Sequence, residues 1–187
     1  MRVLAIACLL ALAVSTPVRP ATLSDVFELA EFQVALDGRQ VSASFRLQPG
    51  LPEELVARIQ SGLPTGLTYE FRLYIDHIRW FDNGIDDARL HVVAMYNAST
   101  REYLVNYKFD GKLVDSKVVR SVEELERAMT RFQGVPLFTL GNVRTERRLL
   151  LRARADVGSR TIYSFIPTAV TTEWVESKKF RPPPGLK

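Results

Sequence analysis

Asp76, His77, Asp82, Asp86, Asp87 and His91 fall within sixteen residues of one another. Imidazoles and carboxylates gathered this closely can ligate a divalent metal or run hydrolytic acid–base chemistry. If the flanking strands pair, His77 and His91 approach each other across the hairpin. The spacing matches no established ligand motif, and Asp82-Asn83-Gly84 carries residue types that favour turns for purely local reasons. A metal-dependent or hydrolytic enzyme built on residues 76–91 is therefore an alternative expectation and not the first. No G-x-S-x-G motif occurs, and the single cysteine, Cys8, sits in an N-terminal apolar run. The sequence assigns no catalytic residue, no metal ligand and no cofactor site, so a non-enzymatic role is expected.

Two further constellations suit binding. Arg148, Arg152 and Arg154 share one parity of a strand pattern, with Leu149, Leu151, Ala153 and Ala155 on the other. That basic face can meet anionic lipid headgroups or an acidic partner. As an ordinary solvated face it is balanced by Glu146 and Asp156. Tyr74, Arg79, Trp80, Tyr96 and Tyr103 form a candidate interaction surface of aromatic and cationic side chains. Tyr74 and Trp80 lie on the parity opposite the main apolar face, so they pack under a second layer or stand exposed.

Strands must position all of these. Phe32, Val34 and Leu36, then Asp37-Gly38, then Val41, Ala43, Phe45 and Leu47 read as a hairpin with one buried face. Leu67, Tyr69, Phe71, Leu73 and Ile75 alternate with polar residues along a long strand whose phase slips near His77. Leu90, Val92, Ala94 and Tyr96 form the next inward face. Tyr103, Val105, Tyr107 and Phe109 then meet Asp110-Gly111, the strongest hairpin signal in the chain. A two-residue loop there pairs Phe109 with Lys112, and so sets Tyr107 opposite Val114 and Tyr103 opposite Val118. Further strands are expected around Val135–Leu140, Arg148–Val157 and Thr161–Ile166. One helix opens at Pro52 with Leu55, Ile59 and Leu63 on its stripe. Another opens at a Ser121/Glu124 capping box, carries Val122, Leu125, Ala128, Met129 and Phe132, and stops at Gly134. The fold class is mainly β (β-rich α+β). The expected architecture is an antiparallel β-sandwich or curved sheet of about eight strands with two short amphipathic helices.

Of the 187 residues, 47 % are hydrophobic and 25 % charged, a globular composition long enough for one self-sufficient core. The net charge of +4 is too small to point to nucleic acid. Met1-Arg2, the apolar run Val3 to Val14 and the small residues Ala13-Val14-Ser15 read as a signal peptide over residues 1–15, cleaved near Ser15. The run is shorter than the roughly 20 residues a membrane span needs. Residues 16–24 then form a flexible tether, 25–180 a single β-rich domain and 181–187 a Pro-rich disordered tail. Localisation is expected to be periplasmic or extracellular. Cleavage removes Cys8, so the mature chain works without disulfide or thiol.

Several segments together resemble an exported bacterial family, the domain of unknown function 4390. They are Gly62-Leu63-Pro64, Tyr69-Glu70-Phe71-Arg72-Leu73-Tyr74 and Arg79-Trp80-Phe81-Asp82. Tyr96-Asn97 to Arg101-Glu102-Tyr103, Ser121 to Leu125, and Thr172-Glu173-Trp174 with Ser177 complete the set. The resemblance runs from about Phe32 to Phe180. It implies a bacterial envelope protein, and the sensor-kinase genes that neighbour the family imply a signalling accessory. It carries over no catalytic residues, because the family has no assigned activity. The leading expectation is an exported, non-catalytic binding or accessory module for another envelope protein, with peripheral contact to anionic lipid as an added expectation. A carrier or sensor of a small molecule or lipid is the remaining alternative.

Overall fold

The computed structural model describes residues 27–76, 83–141, 147–162 and 166–182, giving backbone alone for Asn83, 159–162 and 166–169. The export segment, the tether to Ser24 and the tail from Pro183 lie outside the described residues. Arg181 and Pro182 are described, and Pro182 is buried.

Period-two alternation produces the first hairpin as expected. β1 (Glu28–Asp37) and β2 (Gln40–Gln48) pair antiparallel, with Asp37 opposite Gln40 across a two-residue turn. Every second residue of β2 (Val41, Ala43, Phe45, Leu47) is buried. After α1 (Glu53–Gln60) come β3 (Thr65–Ile75), β4 (Asn83–Asn97), β5 (Glu102–Phe109) and β6 (Lys112–Val119). α2 (Val122–Thr130) leads directly into β7 (Arg131–Thr139), followed by β8 (Leu149–Ile162), β9 (Ile166–Thr171) and β10 (Val175–Glu176). All pairings are antiparallel. One sheet runs β1-β2-β7; the other runs β10-β8-β3-β4-β5-β6, with β9 also paired to β8. There are thus ten strands among the described residues, more than the eight or so expected. The strand expected at Thr161–Ile166 is instead divided between the end of β8 and the start of β9.

The two sheets face each other through their apolar parities. Phe45 of β2 sits between the layers, its ring centroid 4.9 Å from Tyr69, 5.4 Å from Phe71 and 4.9 Å from Phe132. Leu90, Val92 and Ala94 of β4 and Leu149, Leu151, Ala153 and Ala155 of β8 complete the same core. The helices add Leu55 and Ile59 from α1 and Leu125 and Met129 from α2. Ser121 caps α2 by accepting from the Glu124 N–H at 3.1 Å, while the Glu124 carboxylate accepts from the Arg120 N–H at 2.9 Å. No helix among the described residues is long and apolar enough to cross a membrane.

Two helix readings are corrected. Leu63 is not on a helical stripe: α1 stops at Gln60, and Leu63 is 55 % exposed. Phe132 belongs to β7 and not to α2, because Phe132 finds a deeper contact opposite Phe45 in the strand register than a helix would give it. Gly134 lies within β7 at φ +60°, a conformation available to glycine at little cost, so it shapes a strand irregularity instead of ending a helix.

Tyr69 ties β3 to α2. Its fully buried hydroxyl donates to the Met129 carbonyl at 2.8 Å. Burial pushes its phenol well above the ordinary tyrosine range. Tyr69 therefore stays protonated in the fold while its unfolded counterpart ionises above about pH 10. Its contribution is fully present below that pH and falls as pH rises further. Tyr69→Phe is expected to cost about 1–2 kcal/mol at neutral pH, the loss of a buried hydrogen bond. The variant should also decline less steeply than wild type above about pH 10. Urea midpoints measured across that range test both; parallel alkaline declines would contradict the second.

Candidate functional site

The face of the large sheet that points away from the core carries the arginine candidates. Thr68, Glu70, Arg72 and Tyr74 alternate outward along β3, and the register sets Glu70 opposite Arg154 of β8 and Arg89 of β4. The Arg154 guanidinium lies 2.8 Å from the Glu70 carboxylate, and Arg152 lies 2.7 Å from Glu176. Arg72 approaches Asp87 at 3.7 Å. Trp174 lies against two guanidinium groups, Arg72 at 4.8 Å and Arg154 at 4.7 Å from the ring centroid. Arg152 covers the Tyr74 ring at 4.9 Å. The structure thus brings Arg152 and Arg154 together. The charge balance comes from Glu70 and Glu176. Asp156 spends a carboxylate oxygen on the Gly158 N–H, and Glu146 lies outside the described residues. Arg148 is exposed, and its carbonyl accepts from the Asp76 N–H at 2.8 Å. An anion arriving here competes with carboxylates already in place, and such partly exposed pairs contribute little individually. What the pairs do together is fasten the segment after β9 to the sheet.

That segment closes one sheet edge. Thr172 Oγ1 accepts from the Ala155 N–H at 2.9 Å, Ser177 Oγ accepts from the Leu151 N–H at 3.1 Å, and Phe180 bridges Leu149. With β9 on its other half, β8 offers little free edge.

The aromatic candidates separate. Tyr96 and Tyr103 face each other across β4 and β5 with centroids 4.8 Å apart, on the core side, and the Tyr103 hydroxyl accepts from Gln60 Nε2 at 3.3 Å. Tyr74 stands on the outer face, beside a register shift between Leu73 and Tyr74. Opposite parities on one sheet cannot share a surface. Arg79 and Trp80 lie outside the described residues, as do His77 and Asp82. Of the Asp/His turn, His91 faces Thr68, its Nδ1 3.0 Å from Thr68 Oγ1. Asp76 pairs with Lys179 at 2.9 Å, and Asp87 turns to Arg72. Thr68 is eight residues from Asp76 along β3, a span of roughly 26 Å. Among the described residues no group of three or more His, Cys, Asp or Glu is placed to hold a metal ion.

The other edge of the large sheet is open, and the sequence reading of it is corrected. Asp110-Gly111 does pair Phe109 with Lys112, but an irregularity between Tyr107 and Lys108 inserts Val114 into β6. Tyr107 therefore faces Asp115 and not Val114, and Tyr103 faces Val119 and not Val118. The shift buries Val119 and leaves Leu113, Val114 and Val118 each more than half exposed. They are three of the five exposed large hydrophobics among the described residues, which singles out this strand. A sequence signal existed: Leu113-Val114 and Val118-Val119 are adjacent apolar pairs that strict alternation cannot place on one face.

Between the inner side of β6 and the edge strand β7 runs a groove of about 570 Å³, lined by Tyr107, Val114, Ala128, Phe132, Val135 and Pro136. α2 forms its end wall; the Tyr107 hydroxyl donates to the Ala128 carbonyl at 2.9 Å. Burial and the nearby Asp115 carboxylate push the Tyr107 phenol upward, so it remains a neutral donor. Lys117, Arg127 and Arg131 stand round the groove with Asp115 and Glu124. Both acids are engaged by backbone N–H groups, at Ser116 and Arg120. Lys117 and Arg131 hold no ion pair among the described residues. The groove thus joins apolar side chains on its floor to polar and charged ones round its rim, where Lys117 and Arg131 are unpaired among the described residues.

A family model described as Domain of unknown function (DUF4390) matches residues 24–162. The match takes in both sheets, both helices and the groove, and stops before β9 and the Trp174 segment. No curated protein and no solved structure matches.

Proposed function

The chain belongs to the DUF4390 family, a domain of unknown function, and from that premise we propose that it is an exported envelope protein acting as a non-catalytic binding module. Its partner is another envelope protein, consistent with an accessory role in signalling. The groove between β6, α2 and β7 carries this reading, because it joins an apolar floor at Phe132 and Val135 to Lys117 and Arg131, which hold no ion pair among the described residues. The apolar run from Val3 to Val14 supports export. The arginines of the outer face serve fastening instead, since Glu70, Glu176 and Trp174 already occupy Arg152 and Arg154.

A photo-crosslinking residue at Gln133, exposed at the groove, and another at Gln33, exposed on β1, test this in the native host. Gln133 is expected to give one discrete adduct with an envelope protein, absent from Gln33 and weakened several-fold by Arg131→Glu. Identical adducts from both sites, or none from Gln133 across growth conditions, would overturn the proposal.

A further inference from the structure

β6 is the last strand of its sheet, and among the described residues nothing pairs with its outer edge. The opposite edge is sealed by the chain's own segment through Thr172 and Ser177. We propose that the β6 edge pairs antiparallel with the same edge of a second copy of this chain, about a two-fold axis through Ser116. The inference does not rest on the groove, although such pairing engages Lys117 at its rim and leaves Arg131 free of it.

Symmetry restricts the register severely. Hydrogen-bonded and non-hydrogen-bonded pairs alternate along an antiparallel ladder. A two-fold axis must map each pair onto one of the same kind, so one residue has to lie opposite itself. With Asp115 or Lys117 on the axis, like charges face each other directly, which is destabilising. With Val114 on the axis, Leu113 faces Asp115 and Lys112 faces Ser116. With Ser116 on the axis, Asp115 faces Lys117 twice, and the inserted Val114 falls outside the regular ladder. The segment Asp115–Lys117 is therefore complementary to itself in charge in that register.

The structure suits that register. The Ser116 N–H is held by the Asp115 carboxylate at 2.8 Å, a local partner that suits an edge amide with no neighbouring strand. Pairing hands that amide to the second copy and turns Asp115 to the facing lysine. Val118, 56 % exposed, lies on the outer face at the end of the short ladder and is covered by it. A bulge and a lysine on an edge strand normally prevent indiscriminate pairing. Here the lysine meets an aspartate only when the partner is in register, so the same devices select a copy of this strand over other edges.

Sedimentation or light scattering on the full chain carrying Cys8→Ser reads the outcome. A concentration-dependent dimer is expected. Asp115→Lys and Lys117→Asp should each weaken it about tenfold or more, by placing like charges opposite each other twice. The double exchange Asp115→Lys/Lys117→Asp should restore it. In the same background, Ser116→Cys should oxidise to a covalent dimer, because residues opposite each other in a ladder lie within disulfide reach. A Gln33→Cys control should not. Thermal melts confirm that each variant is folded. A wild type that stays monomeric at every concentration, or a dimer indifferent to the single charge reversals, overturns the proposal.

Discussion

Phe45→Ala is expected to destabilise the protein by about 3–5 kcal/mol, the usual cost of truncating a buried phenylalanine. Phe45 is 2 % exposed and touches both layers of the sandwich at once. Its ring lies 4.9 Å from Tyr69 in the large sheet and 4.9 Å from Phe132 in its own. Removing it opens a cavity that neither sheet can fill without sliding, since each ring partner is fixed by its own ladder. A loss of this size consumes much of the roughly 5–15 kcal/mol that holds a typical domain folded. Urea denaturation measures it, with Leu113→Ala as a reference expected to fall within about 0.5 kcal/mol. Equal midpoints for the two variants would contradict the placement of Phe45 at the centre of the core.

Gly66→Ala is expected to be nearly as harmful, for a different reason. A methyl group on Gly66 would run into the Val92 carbonyl oxygen and lie 2.9 Å from the Val93 Cα. Both are backbone atoms of β4, so no side-chain rotation relieves the contact and the two strands must part. A cost of about 2–3 kcal/mol follows from such overpacking. Hydrogen exchange should quicken first at the start of β3, from Thr65 to Tyr69. Protection equal to wild type there would show that β3 and β4 do not approach this closely.

Much of the fold was legible because burial in a two-layer sandwich imposes period two. The inward residues of β2, β3, β4 and β5 were named from alternation alone, and the register Phe109 to Lys112 followed from Asp110-Gly111. Family membership was legible too, from short motifs such as Arg72-Leu73-Tyr74 and Ser121 to Leu125. Elements failed where a competing contact outweighed local pattern. Phe132 fits a helical stripe, yet its best partner lies across a strand at Phe45.

The candidate sites divide in the same way. Arg152 and Arg154 share a face because two residues apart in a strand always do. Their capture by Glu70, Glu176 and Trp174 depends on residues 20 to 84 positions away along the chain, which local spacing does not encode. Tyr74 and Tyr96 both looked available for a surface, but parity sends them to opposite sides of the sheet. The amino-acid sequence by itself determined the strand-rich class, most inward faces, the Ser121 cap of α2 and the chemistry available, because those follow from residues two to four apart. Only the tertiary structure decided which sheet edge is sealed, which is open, and that β6 leaves Leu113, Val114 and Val118 exposed. Those outcomes hinge on one inserted residue and on where the C-terminal segment docks, and both are settled by contacts between distant parts of the chain.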